Sequence, residues 1–262
     1  MKLCTLAMMG VTGLLLAGCG RNADSVTLAG STAFQPFAEK LADEFMAKNA
    51  GANITVQGGG SAVGIQAALS GAAQIGMADL VELPAEAQAL TSYVVARDGI
   101  AVVINPANPV TNLTLIQIRA IFNGATKNWK DVGGPDKPIT VVSREEGSGT
   151  RSSFEKIVKG ITLTQDAIVQ DSNGTIRETV AQDANAIGYL SHGLLNDKIK
   201  AVTVAGAPCT TAAVVAGTYP LARPVFLLTK GPATGASKAF IDYVLSADGQ
   251  KLIADNGLIA AQ

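Results

Sequence analysis

Three times in this chain a short apolar run ends on glycine and hydroxyl residues and gives way to a segment of helical period. VTLAG (26–30) passes into Ser31-Thr32-Ala33, and NITVQG (53–58) into Gly59-Gly60-Ser61. PITVVS (138–143) passes into Arg144-Glu145-Glu146-Gly147-Ser148-Gly149-Thr150. A strand that stops on glycine before a helix is half of a strand–helix–strand unit, and such units in series build parallel sheets with helices on their faces. The same grammar runs on. AQIGMAD (73–79), IAVVINP (100–106), ANAIGYLS (184–191), KIKAVTV (198–204) and PLARPVFLLTKG (220–231) read as strands. Phe34, Phe37, Ala38, Leu41 and Phe45 mark a first helix, with Ser31 and Thr32 where its N-cap belongs. LTLIQIRAIFNG (113–124) and RSSFEKIVKG (151–160) are two more helices, each stopped by glycine, and residues 236–257 form a closing helical region. The expected class is α/β with mostly parallel sheets.

A chain of 262 residues with 48% hydrophobic and 16% charged residues is long enough for one large domain or two smaller ones. No low-complexity linker divides it, so two lobes would have to be joined by strands that cross between them, IAVVINP first. The net charge of −1 offers no basic field for nucleic acid, and any anion would have to be held locally. Met1 and Lys2 precede an apolar run that ends in Leu16-Ala17-Gly18-Cys19. That run reads as an export signal over residues 1–18. Its end resembles the lipobox of bacterial lipoproteins, which implies a lipid on Cys19 and a short tether over 19–25. Of the three cysteines, Cys4 leaves with the signal and Cys209 then has no partner, so it reads as a small buried apolar residue. No metal-ligand spacing is present, and no cofactor is expected.

The three glycine-rich connections share a chemistry. A helix N-terminus carries unpaired backbone N–H groups and partial positive charge, glycine lets a ligand approach it, and a hydroxyl adds a donor. Ordinary helix caps use the same residues. Three such loops, one of them carrying Arg144, favour an oxyanion held between several helices. A guanidinium gives such an anion a forked contact, with Glu145 or Glu146 as its surface alternative. Asp79 ends a strand nearby. Beside an anion its carboxylate helps only if the ligand has a proton to donate, as hydrogen phosphate does and sulfate does not; another helix cap remains the equal alternative. Enzymatic readings find less support. There is no G-x-x-x-x-G-K-[ST], and neither Ser61 nor Ser148 lies in G-x-S-x-G. His192, the one histidine, reads as structural, and the N-x-[ST] triplets at Asn53, Asn112 and Asn173 read as chance.

AGSTAFQPFAEKLADEF, QGGGSAVGIQAALSGAAQIGMAD, REEGSGTRSSF, AIGYLS and GTYPLARPVFLLTKG, in this order, resemble the phosphate-binding proteins of bacterial phosphate ABC transporters. The resemblance runs over nearly the whole mature chain. It implies a two-lobed periplasmic-binding-protein-like fold of type II, with phosphate held dehydrated in the cleft between the lobes. Lobe I would be residues 26–105 plus 201–262, and lobe II residues 106–200. Carried over by position, Thr32, the N–H of Ala33, Ser61 and Asp79 would bind phosphate from the first lobe. Arg144, Ser148, Gly149 and Thr150 would bind it from the second. Ser31 would support the first loop, and Glu146 would pair with the arginine. The implied protein is not an enzyme. It is an exported, lipid-anchored monomer that captures inorganic phosphate for the permease subunits of an importer. Binding of sulfate or molybdate, or phosphate sensing at the cell surface, is the alternative.

Overall fold

The computed structural model of the chain describes residues 25–261; the expected signal, Cys19 and most of the tether lie outside the described residues. The chain runs β1 (Ser25–Gly30), α1 (Gln35–Lys48), β2 (Asn53–Gln57), α2 (Ser61–Ser70), β3 (Ile75–Ala78) and β4 (Thr91–Ile104). It continues through β5 (Asn112–Leu113), α3 (Leu115–Phe122), β6 (Thr140–Arg144), α4 (Gly149–Val158), β7 (Ile168–Gln170), α5 (Asn173–Gln182) and β8 (Ala186–Ser191). It ends with β9 (Lys200–Ala201), β10 (Thr203–Val204), α6 (Thr211–Val215), β11 (Ala222–Thr229), α7 (Gly235–Leu245), α8 (Ala247–Asp255) and β12 (Ile259–Ala260).

One sheet path threads both lobes in the order β2-β1-β3-β11-β4-β8-β6-β7. The outer strands are parallel: β1 with β2 and β3, and β6 with β7 and β8. These are the strands whose ends lead into the glycine-rich connections. The two strands between lobes, β11 and β4, run antiparallel to their neighbours. Strand β4 is the seam. Its first part, to Gly99, pairs with β11, and its second, from Ile100, pairs with β8. The return crossing lies beside it, where the Ile100 amide donates to the Leu221 carbonyl at 2.7 Å.

Each lobe has its own core. In the first, α1 turns Phe37, Ala38, Leu41, Ala42 and Phe45 inward, a stripe at helical spacing. Phe45 meets Phe240 of α7 edge-on at 5.5 Å. In the second, Trp129, Phe122, Phe154 and Tyr189 fill the space between the helices and β6 and β8, with Phe154 and Tyr189 stacked at 4.1 Å. Val202, Val204, Cys209, Val214, Tyr219 and Leu221 pack in this second core, although the sequence reading gave residues 201–221 to the first lobe. The reason is that the chain recrosses only at β11.

Several elements differ from their sequence outlines. IAVVINP is the buried end of the longer β4, whose earlier half is masked by Arg97 and Asp98 in the apolar pattern. KIKAVTV divides into β9 on β4 and β10 on β5, because the chain changes partners at Val202. Helix α5 went unread; in its largely polar sequence only Asn173, Ile176 and Val180 are buried.

Helix α2 sits against bare backbone. A Cβ on Gly64 would lie 2.5 Å from the Met77 carbonyl oxygen and 2.7 Å from that of Ala29. Contacts so close require glycine, and they set the height of the α2 N-terminus over β1 and β3. Gly64→Ala is expected to lower unfolding free energy by about 1–3 kcal/mol through overpacking. Differential scanning calorimetry should show a melting point lower by several degrees; an unchanged melting point would mean that the helix shifts freely.

Candidate functional site

The N-termini of α1, α2, α4 and α5 meet where the lobes face each other. From the first lobe come the Gly30-Ser31-Thr32 turn and the Gly58-Gly59-Gly60-Ser61 turn, joined by a Gly60 amide to Gly30 carbonyl bond of 2.9 Å. From the second come the Arg144–Thr150 turn and the start of α5. The lobes touch. The Ala62 amide donates to the Gly147 carbonyl at 3.1 Å, and the Val81 amide to Ser153 Oγ at 3.1 Å. Lys156 pairs with Glu82 across the same face.

Asp79 stands at the centre, only 2% exposed. Ser61 Oγ donates to its Oδ1 at 2.7 Å and accepts its backbone N–H at 3.1 Å. Thr150 Oγ1, from the other lobe, donates to its Oδ2 at 3.3 Å. Arg223 Nη1 lies 2.5 Å from the same oxygen. Gly149 is pressed into this group: a Cβ there would lie 2.1 Å from Ser61 Oγ and 2.9 Å from Asp79 Oδ1. The glycine therefore admits Ser61 and Asp79 to the α4 N-terminus.

Arg144 closes the other side. Its guanidinium is buried and forks onto Glu145, Nε to Oε2 at 2.8 Å and Nη2 to Oε1 at 2.7 Å. Nη2 also reaches the Asp171 carbonyl at 3.3 Å. Nη1 is buried with no hydrogen-bond partner among the described residues. A buried cationic donor left unpaired is costly, so its natural complement is an anionic acceptor. The base of Arg144 is held by Tyr189, whose hydroxyl bonds Ser143 Oγ at 2.8 Å and accepts the Arg144 amide at 3.3 Å. Burial pushes the Tyr189 hydroxyl up to about 12, so it stays protonated.

Ser61, Asp79, Gly149 and Thr150 thus come into mutual contact, and Thr32 and Arg144 flank the same interlobe face. Other expectations change. Glu146 is exposed and Arg144 pairs with Glu145, because Glu146 has already turned outward with Gly147. Ser31 and Thr32 do not cap α1, whose N-cap is Phe34. Ser31 Oγ instead accepts the amides of Ala33 (3.2 Å) and Phe34 (3.1 Å), so the Ala33 N–H is already engaged. Ser148 is the N-cap of α4, accepting the Arg151 amide at 3.3 Å, and its hydroxyl proton is still available to donate. His192 rests on the Gly257 carbonyl at 3.1 Å, and Cys209 is buried, its thiol pushed up to about 12 by desolvation.

Sequence reasoning missed Asn173, Arg223, Asp98 and Ser191. Asn173 is fully buried; its Nδ2 donates to Thr32 Oγ1 at 3.0 Å across the lobes, while its Oδ1 accepts the Ser191 amide at 3.1 Å. The signal was present. Ser172-Asn173-Gly174-Thr175 is a fourth hydroxyl-rich helix start, with Ser172 and Thr175 forming a capping box.

A model described as a PBP superfamily domain matches residues 17–248. The phosphate-binding protein PstS of Bacillus subtilis (strain 168) is 36% identical over 280 aligned positions, covering 98% of this chain and 93% of that protein. Among solved structures, a chain from Clostridium perfringens, described as a phosphate ABC transporter substrate-binding protein with bound phosphate, superposes with a TM-score of 0.87 at 40% identity. It covers 91% of this chain and 100% of its own length. An ABC-type phosphate transport receptor from Vibrio cholerae gives a TM-score of 0.76 at 35% identity, covering 89% and 99%.

Asn173→Ala removes both an interlobe donor and the acceptor of a buried amide. It is expected to cost about 1–3 kcal/mol of unfolding free energy in urea titrations, mostly from the orphaned Ser191 N–H. Amide exchange at Ser191 should speed up in the same variant; unaltered exchange would place that amide's partner elsewhere.

Proposed function

The chain belongs to the PBP superfamily, and we propose that it is an exported binding protein that captures inorganic phosphate and delivers it to an ABC-type importer. The observation that carries this reading is the unpaired, buried Nη1 of Arg144, set at one interlobe face with the Asp79 carboxylate. A cation and a carboxylate facing one cleft suit a ligand that is both an anion and a proton donor. Hydrogen phosphate is such a ligand; sulfate is not at neutral pH. The relatives and solved structures, which carry phosphate-binding names at 35–40% identity over most of the chain, support the same ligand.

On this reading Arg144 gives the ligand a charge-assisted bond, while Glu145 holds the guanidinium and offsets its charge. The hydroxyls of Thr32 and Ser148, with the amides of Ala33 and Gly149 at their helix starts, supply neutral donors, and Ser61 and Thr150 join them only if their hydroxyl protons turn from Asp79 to the ligand. Ser31 shapes the first turn. Ala33 can serve only if its N–H leaves Ser31 Oγ or is shared with it. Asp79 accepts the phosphate proton. Binding draws the lobes together about β4 and β11, a hinge closure that a permease can recognise. Cys19, with its lipid, would keep the protein at a membrane, acting as a monomer and without cofactor or catalysis.

Isothermal titration calorimetry with phosphate and sulfate tests the assignment. Arg144→Ala should weaken phosphate binding by about 10–100-fold, the worth of a buried charge-assisted bond. Equal binding by that variant would move the site elsewhere. Asp79→Asn turns an acceptor into a group that can also donate. The preference for phosphate over sulfate should fall by about two orders of magnitude or more, since a site built around a ligand hydroxyl owes its discrimination to that bond. Unchanged preference would remove Asp79 from its role.

A further inference from the structure

GTYPLARPVFLLTKG belongs to the sequence signature, yet nothing in the proposed contacts uses its arginine. Arg223 lies on β11 just after the return crossing, and its side chain is fully buried between two carboxylates. Nε and Nη2 both reach Asp98 Oδ2, at 3.2 and 2.8 Å. That leaves Nη1 for Asp79, 2.5 Å from Oδ2 and 3.0 Å from its carbonyl oxygen. Asp98, on β4, receives a further bond from Ser191 Oγ at 2.8 Å. Asp98 thus orients the guanidinium, and the guanidinium presents one edge to Asp79.

A carboxylate reads a ligand proton only while its oxygen atoms are held facing the ligand as acceptors. Swung away, Asp79 would lose the means of telling the two anions apart. The charged side chain bonded to Asp79 is Arg223 from β11, with Asp98 from β4 just behind it, while Arg144 stands across the cleft. Ser61 and Thr150 contribute only neutral hydroxyls. Asp98 itself is pushed towards its neutral form by burial and drawn back by Arg223 and Ser191.

From this geometry we infer that Arg223 is a specificity-determining positioning residue: it holds the Asp79 carboxylate in place as an acceptor, and so sets the preference for a protonated oxyanion over a fully deprotonated one. The inference rests on the phosphate reading above and concerns a residue that does not itself touch the ligand.

Arg223→Lys supplies a point charge on a different stem that cannot fork across both carboxylates. Calorimetry with phosphate and sulfate on the folded variant is expected to show a phosphate-to-sulfate affinity ratio lower by at least about tenfold. In Arg223→Lys with Asp98→Asn the ammonium has Asp79 as its one anionic partner, and the ratio should recover; a merely structural ion pair would give no such rescue. Asp98→Asn alone keeps an amide oxygen that can accept both Nε and Nη2, so Arg223 stays beside Asp79 and the ratio should remain within about threefold of the wild type. A ratio unmoved by Arg223→Lys, a fall without recovery in the double variant, or a tenfold fall in Asp98→Asn alone would each overturn the inference. The Asp98→Asn arm stands even if the lysine variants do not fold. Wild-type protein that binds no phosphate would instead overturn the phosphate reading, an outcome separate from the three above.

Discussion

A carboxylate deep in a protein needs bonded partners for its oxygen atoms, and Asp79 makes that demand on the whole cleft. Its partners come from three places: Ser61 at the start of α2, Thr150 at the start of α4, and Arg223 on the crossing strand β11. One partner lies in each lobe and one at the seam. Much of the fold around the cleft can be read as the means of bringing these three together. The backbone contact of Gly64 sets α2 low enough for Ser61 to reach, and Gly149 lets the second lobe close on the same oxygen atoms.

The parts of this arrangement written in local sequence were legible. A strand end, a glycine turn and a hydroxyl at a helix start occupy consecutive residues, so Thr32, Ser61, Ser148, Gly149 and Thr150 could be picked out together. Asp79 could be noticed because it closes an apolar strand. The alternation of strands and helices gave the α/β class, and with it the side of the sheet on which the loops gather. Helix α5 escaped because its inward face is made of Asn173, Ile176 and Val180, too sparse a stripe to stand out from its polar neighbours.

What stayed hidden depends on partners far apart in sequence or on the direction of a single side chain. Arg223 is 144 residues from Asp79 and 125 from Asp98. Nothing local to ARP announces that its arginine is fully buried. Asn173 meets Thr32 over 141 residues. The choice between Glu145 and Glu146 was a matter of one residue. Glu145 still follows the end of β6 and lies alongside Arg144, while Glu146 has entered the turn and faces solvent. Such choices are made by backbone geometry, which composition does not carry. The extent of the second core was hidden for a similar reason: Val202 to Leu221 look like the start of a return to the first lobe, but they cross only at β11.

Strand β4 spans 14 residues, about 45 Å of extended chain, without a break. Its two ends are pinned in different cores, and β11 braces the first part from Thr91 to Gly99, with one register shift at Val95. There is consequently no flat plane along which one lobe could slide over the other. Any opening has to be taken up as torsion in a pair of neighbouring ribbons, the way a twisted steel strip stores and returns a turn. The angle between the lobes then has few ways to vary, and a downstream receptor would meet a small set of reproducible shapes rather than a continuum.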